Sequence, residues 1–477
     1  MGCAVTVYEA TSVPGGMLRL GIPEYRLPRE LLDLEIEAIT TLGPTIEFET
    51  ALGRDFLLMD LRREFEAVFL GIGTHASRRL NVEGERQDGV LHAVDFLLNV
   101  NLGGYSLDLG QSIIVIGGGN VAMDVARTAA RLGQETVSGG DVELALDVAR
   151  AARRLGGTRE VHCLVVESRE EMLADRYEVE EALAEGIEVH NNFAPVRILG
   201  DGRTASGIRT MDVTRAFDEQ GRFNPELRLG TARDWPCDSV IVSIGQVGDL
   251  AWMREEDGLE QLPGGRLKVD TQTLMTTADG VFAGGDIAFG PRLIINAVAD
   301  GQRAAMGIDA YLRGRPLHRV RRGTFTSIDP KSYARYAPQE GFPGIPRRQP
   351  PTLPVERRIG ISCVEETYEA EEARRQAARC LICNLNPIFE GDLCILCNGC
   401  VDVCPMDCLK LVPSHHIAGD KSVAAFVKTH AGGDGTAMLF DPAHCIRCGL
   451  CARRCPTGAV VMHTLSFQES WKEEGAI

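Results

Sequence analysis

Two cysteine runs constrain this chain more than anything else in it. Cys394, Cys397, Cys400 and Cys404 are followed by Pro405, and Cys445, Cys448, Cys451 and Cys455 by Pro456, both with the spacing C-x2-C-x2-C-x3-C-P. Two-residue gaps let a short loop bring three thiolates to three irons of one cluster, while the cysteine before proline points to the other cluster of a pair. The spacing therefore predicts two [4Fe-4S] clusters. One is assigned Cys394, Cys397, Cys400 and Cys455, the other Cys445, Cys448, Cys451 and Cys404. Structural zinc prefers two separated cysteine pairs, and a disulfide framework needs a secreted chain, so neither explains the pattern.

At 477 residues the chain is long enough for about three domains of ordinary globular composition. The first residues lack a basic region followed by an apolar stretch, and no apolar run approaches membrane-spanning length. A cytoplasmic protein is expected, since a reducing compartment suits free thiols and oxygen-sensitive clusters. The net charge of −17 argues against a nucleic-acid partner.

Residues 1–109 alternate short apolar strands (5–8, 67–70) with helical segments such as 30–42, which is α/β material. A second unit, 110–240, opens on Ser112-Ile113-Ile114-Val115-Ile116, continues into three glycines and then a helical stretch to Leu132. Residues 241–312 return to strands (240–244, 281–283) and end on an alanine-rich helix. The arginine- and proline-rich stretch from 313 reads as a linker to about 375, with a charged helix over 365–378, and leads into the cysteine domain, 376–465. The sequence DVARTAARLG at 124–133 recurs as DVARAARRLG at 147–156, which predicts a duplicated helix inserted into the second unit.

Gly117-Gly118-Gly119-Asn120-Val121-Ala122 follows a strand and opens a helix, the context a G-x-G-x-x-A dinucleotide fingerprint requires. The glycines permit a tight turn and let backbone approach a pyrophosphate at the helix N-terminus. The strand over 161–166 is followed by Glu167, placed to accept hydrogen bonds from a ribose 2'-hydroxyl and to repel a 2'-phosphate. NADH is thereby favoured over NADPH. Two further features suit FAD: Glu9 closes a strand from which a carboxylate can hold a ribose, and Gly280-Val281-Phe282-Ala283-Gly284-Gly285-Asp286 sets a buried strand before small residues and an aspartate.

Pro14-Gly15-Gly16-Met17-Leu18-Arg19, running into Gly21-Ile22-Pro23-Glu24-Tyr25-Arg26-Leu27-Pro28, resembles the flavin domain of the glutamate synthase small-subunit family. The 115–124 stretch, Ser168-Arg169-Glu170-Glu171-Met172 and Ala283-Gly284-Gly285-Asp286 match the same family in the same order, so the resemblance covers about residues 1–312. It implies FAD at Glu9, Gly15, Gly16, Gly285 and Asp286, and a nicotinamide nucleotide at Gly117, Gly119, Asn120 and Glu167. The implied fold is α/β: two Rossmann-like dinucleotide-binding domains, the nicotinamide domain inserted in a truncated FAD domain, joined to a small α+β bacterial-type two-[4Fe-4S] ferredoxin domain. Three departures matter. The family's first strand and FAD G-x-G-x-x-G would precede residue 1, so that the start lies upstream, another polypeptide supplies the piece or the flavin site is crippled, a truncated reading of the gene being favoured. Val166-Glu167 stands where NADPH-using members carry paired arginines. The family's cysteine-rich domain lies at its N-terminus, whereas here the cysteine runs are C-terminal.

Cys380 and Cys383 form a C-x2-C pair that is open between a further cluster, a partner interface and inert thiols. Cys408 reads as a small residue packed against a cluster, and Cys3, Cys163, Cys237 and Cys363 as small core hydrophobes. Hydride transfer needs no side-chain acid or base, no catalytic residue is assigned, and the histidines read as structural. The function expected is electron transfer between NAD(P)H, FAD and two [4Fe-4S] clusters, toward a catalytic or electron-accepting partner subunit or a ferredoxin. A glutamate synthase small subunit and a non-catalytic iron-sulfur conduit with a vestigial flavin domain remain the alternatives.

Overall fold

The computed structural model describes residues 2–102, 108–132, 159–315, 317–329, 332, 345–358, 363–380, 384–419, 421–430 and 435–473. The second copy of the repeat and Cys383 lie outside them. Two compact units are present, Met1–Leu317 with Thr352–Glu366, and His318–Pro351 with Thr367–Ile477. Among the described residues no helix is long and apolar enough to cross a membrane.

The first unit is built on a five-stranded sheet in the order Val90–His92, Ser239–Val242, Ser112–Ile116, Glu160–Val165, Glu188–Asn191, with every pairing parallel. An unbroken β-branched run suits a strand covered on both faces, and Ile113 to Ile116 are each fully buried. Ile113 and Val115 face Ala122, Val125, Ala126 and Ala129 of the helix Asn120–Leu132. Ile114 and Ile116 face Ile198, Ile208 and Trp235. These last belong to an antiparallel sheet of Phe193–Gly200, Ala205–Phe217, Phe223–Leu227 and Arg233–Pro236. This sheet was not anticipated from the sequence. Nor was the upstream strand Val90–His92, which with the helix Ala93–Leu102 extends this layer N-terminal to the expected boundary at 110.

On either side of this insertion in the chain lie the strands of the other α/β layer. Thr6–Tyr8 pairs in parallel with Thr45–Glu47, and Val68–Leu70 with Val281–Ala283. Leu58, Leu61, Val68, Leu70, Leu267, Val281 and Ile287 form its core. Expected and observed elements agree closely at Val281–Ala283 and at the helices Arg29–Thr40 and Ile294–Leu312.

The stretch read as a linker is structured in two places. Leu317–Ser327 is a strand, next to Val460–Glu473 and then Leu385–Phe389 in a three-stranded sheet. Its arginines hid the period-two pattern that marks strands. Within the first unit, Arg358 is 5% exposed and donates to Glu181 Oε2 at 2.5 Å and Glu185 Oε1 at 3.0 Å. Arg127 pairs with Glu178, Glu181 and Glu185, Arg131 with Glu185, and Arg26 with Asp124 and Glu178. The charged helix is shorter than expected, Ala370–Ala377. In the second unit the core is Leu385, Cys400, Leu409, Ala452, Val460 and Met462, beside the hairpin-like pair Leu409–Pro413 and Thr436–Phe440.

Candidate functional site

Each cysteine run curls because its loop residues enter the left-handed region. Leu396 (φ 54°) and Asn398 (φ 61°) do so between the first three cysteines, and Arg447 (φ 57°) and Gly449 (φ 70°) in the second run. Asn398 then starts the short helix Gly399–Asp402, and Gly449 starts Leu450–Arg454. Each helix carries its run's third cysteine and leads the chain away toward the fourth.

The consequence is an exchange. Cys394, Cys397, Cys400 and Cys455 line one cavity, walled by Phe389, Met438 and Val460. Cys445, Cys448, Cys451 and Cys404 line a second, walled by Phe440, Ile446 and Met462. Both linings are mostly apolar carbon, and every described cysteine is a free thiol. Backbone N–H groups point at sulfur: Cys408 donates to Cys404 Sγ at 3.3 Å and Arg447 to Cys445 Sγ at 3.4 Å. Burial pushes the Cys451 thiol up to about 12 and raises Cys400 and Cys448 as well. Cys455 is half-buried, and hydrogen bonding from Thr457 and the amides of Val460, Thr457 and Ala459 outweighs its desolvation and lowers its pKa. Four soft donors around an apolar cavity fit an iron-sulfur cluster, whose irons offset the sulfur charge.

At the glycine turn, Gly117 has φ 140° and a Cβ there would lie 2.2 Å from the Ser243 carbonyl oxygen. A Cβ on Gly118 would meet Val165 Cγ1 at 2.6 Å, whereas one on Gly119 would meet nothing within 4 Å. The turn is thus packed underneath and open above, at the start of the helix Asn120–Leu132. Asn120 turns its side chain to accept from the Asp175 amide at 2.9 Å, leaving its backbone N–H at the helix start. Glu167 follows the strand Glu160–Val165, and its Oε2 would lie 3.3 Å from a Cβ on Gly118. Its carbonyl accepts from Asn191 Nδ2 at 3.0 Å. Carboxylate and turn are therefore together, a cradle of the shape a dinucleotide needs.

The residues suggested for FAD sit beyond the C-terminal ends of parallel strands. Glu9 follows Thr6–Tyr8 and is fixed by the Thr11 amide at 2.9 Å and hydroxyl at 2.8 Å. Gly15 (φ 118°) packs toward Leu32, and Gly16 (φ 51°) is open on its Cβ side. Gly285 (φ 70°) donates its N–H to the buried Asp300 at 3.1 Å. Asp286 begins the turn of helix Asp286–Phe289, accepts from the Arg292 amide, and is raised by burial. Asp300 and Thr457 were not singled out in the sequence. Asp300 lies on a helix fourteen residues past the motif, with no local signal to mark it.

The other cysteines divide. Cys163 and Cys237 are buried, with thiols pushed up to about 12, and Cys408 is buried beside the second cavity. Cys3 and Cys363, expected in the core, are exposed. Cys363 alternates with Val364, which takes the buried side, and Cys3 leads through the exposed Val5 into the strand Thr6–Tyr8, whose Val7 is itself exposed. Cys380 is exposed.

Residues 59–301 match the pyridine nucleotide-disulphide oxidoreductase family, and residues 393–459 the 4Fe-4S dicluster domain. The NADP(+)-dependent formate dehydrogenase subunit beta of Moorella thermoacetica is 38% identical over 80% of this chain and 51% of its own length. The glutamate synthase [NADPH] small chain of Escherichia coli K12 is 30% identical over 65% of this chain and 64% of its own. The chain thus spans about half the length of the first relative and under two thirds of the second. In structure, FprA from Mycobacterium tuberculosis superposes with a TM-score of 0.52 at 19% identity, over 65% of this chain and 78% of that one, a likeness of fold.

Proposed function

Because the chain is a member of the pyridine nucleotide-disulphide oxidoreductase family that also carries a 4Fe-4S dicluster domain, we propose that it is an electron-transfer subunit linking NAD(P)H, through FAD, to two [4Fe-4S] clusters and a partner protein. The observation that carries this reading is the sorting of the eight cysteines of the two runs, four to each of two cavities, in a chain that also holds a dinucleotide cradle. When bound, the flavin takes an electron pair from a nicotinamide and the clusters pass electrons singly.

The chain's own residues hold and place these groups. Gly117, Gly119 and the backbone of Asn120 hold a pyrophosphate at the helix start. Glu167 accepts from the adenosine ribose, which favours NADH, although both relatives above are named for the phosphorylated nucleotide. Glu9, Gly15, Gly16, Gly285 and Asp286 hold FAD, with Asp300 anchoring the Gly285 turn. Cys394, Cys397, Cys400 and Cys455 hold one cluster, and Cys445, Cys448, Cys451 and Cys404 the other, while the apolar walls exclude water. The proposed division is an FAD part in two stretches, before Val90 and over 241–312, around a nicotinamide part from Val90 to about 240, then a connecting stretch at 313–375 and the cysteine domain at 376–465. A catalytic subunit is the proposed partner, since both relatives are named as a subunit or chain of a larger enzyme, and the cytoplasm is the proposed compartment.

The test is NADH-driven reduction of cytochrome c by the anaerobically prepared chain and by Cys451→Ser. The variant is expected to lose about tenfold or more of the rate while NADH still bleaches its flavin band. An unchanged rate would mean that electrons leave by another route.

A further inference from the structure

The strands Glu160–Val165 and Glu188–Asn191 pair in parallel, with His162 opposite Glu188 and Leu164 opposite His190. Residues two apart on a strand share a face. His162, Glu188 and His190 therefore converge, on the face that packs Leu164 near Trp235. His162 Nδ1 lies 3.1 Å from His190 Nε2 and 3.4 Å from Glu188 Oε2, and His190 Nε2 lies 3.3 Å from that same oxygen. The histidines, read from sequence as structural, form this group only through strand register. The alternating Glu188-x-His190 was the one local signal.

We propose that His162, Glu188 and His190 form a binding site for a divalent transition metal ion of the zinc type. The triangle of donor atoms has the size such an ion requires: tetrahedral ligands at about 2.0–2.1 Å from zinc stand about 3.3–3.4 Å from one another. Hydrogen bonding accounts for the group less well. Three mutual contacts need three protons on three lines, the two ring nitrogens supply at most one each, and with both protonated those nitrogens oppose each other. A single cation satisfies all three contacts at once. Two imidazoles and one carboxylate select zinc, nickel or copper over magnesium or calcium.

The surroundings permit entry and fix the rings. The side chains of His162 and His190 are about a quarter exposed and that of Glu188 is 65% exposed, so water can complete the coordination. The Trp235 ring packs 4.8 Å from His190. His162 also lines an open cleft with Glu160 and Asp238, whose carboxylates favour a cation, while Arg233, stacked on Trp235, opposes one. A bound ion would clip two strands of the nicotinamide layer together.

The experiment uses the full chain with its clusters in place, equilibrated with zinc and desalted, and reads zinc content and zinc-edge X-ray absorption. One zinc per chain with nitrogen and oxygen neighbours is expected, and His190→Gln and Glu188→Gln should each weaken binding by about tenfold or more. Glu188 is exposed, so its variant keeps the test independent of folding. No retained zinc, zinc with sulfur neighbours only, or nitrogen-ligated zinc unaffected by both variants would overturn the proposal.

Discussion

Glu167 stands over a turn whose Gly117 and Gly118 leave no room for side chains below it, and in the proposed function this carboxylate discriminates between nucleotides. A carboxylate accepting from ribose hydroxyls contributes about 1.5–3 kcal/mol, and a 2'-phosphate beside it would be repelled. Glu167→Arg is therefore expected to lower kcat/KM for NADH by about tenfold or more and raise it for NADPH. Steady-state kinetics with both nucleotides checks this, and an unchanged ratio would remove Glu167 from the ribose site. At this scale the sequence was most legible where local chemistry is obligatory. Gly117 needs its positive φ, and the cysteine before each proline had to serve the opposite site. It was illegible where a role depends on a distant contact. Asp300 serves the Gly285 turn from a helix further along, Thr457 adjusts Cys455, and Cys363 yields the buried side to Val364.

Among the elements, the helices Asn120–Leu132 and Arg176–Ala184 are joined to the returning segment around Arg358 by a nearly dry arginine-glutamate network. Removing one partner from such a network strands the others, typically at about 3–5 kcal/mol. Arg358→Met should lower the thermal midpoint of the first unit by roughly 4–7 °C. Burial alone would raise Glu178 and Glu185, but hydrogen bonds and charge from Arg26 and Arg131, with Arg127, hold both carboxyls below their ordinary range. Groups depressed on folding stabilise above their unfolded pKa, so this contribution is lost as pH falls through and below about 4. Asp124, raised by burial, works in the opposite direction. The strand Ser112–Ile116 and the helix after it were readable because their apolar patterns are long and unbroken. Leu317–Ser327 was not, because arginines occupy its alternating positions, and Val90–His92 is too short to show a period.

At the scale of the whole molecule, the proposed function has one chain join a dinucleotide-binding unit to a unit whose two cysteine runs supply four ligands to each of two clusters, so that paired electrons enter at one and single electrons leave from the other. The domain classes were written in motifs and their order, whereas the antiparallel sheet at 193–236 and the histidine-glutamate group depend on register that no short segment encodes. The most direct measurement is the iron content of the anaerobically purified chain together with its visible spectrum before and after NADH. The account predicts about eight irons per chain, a flavin band that bleaches on adding NADH, and a fall in the broad cluster absorbance. Iron present at that level with no flavin band and a spectrum indifferent to NADH would contradict it, leaving the clusters without an electron source in this chain.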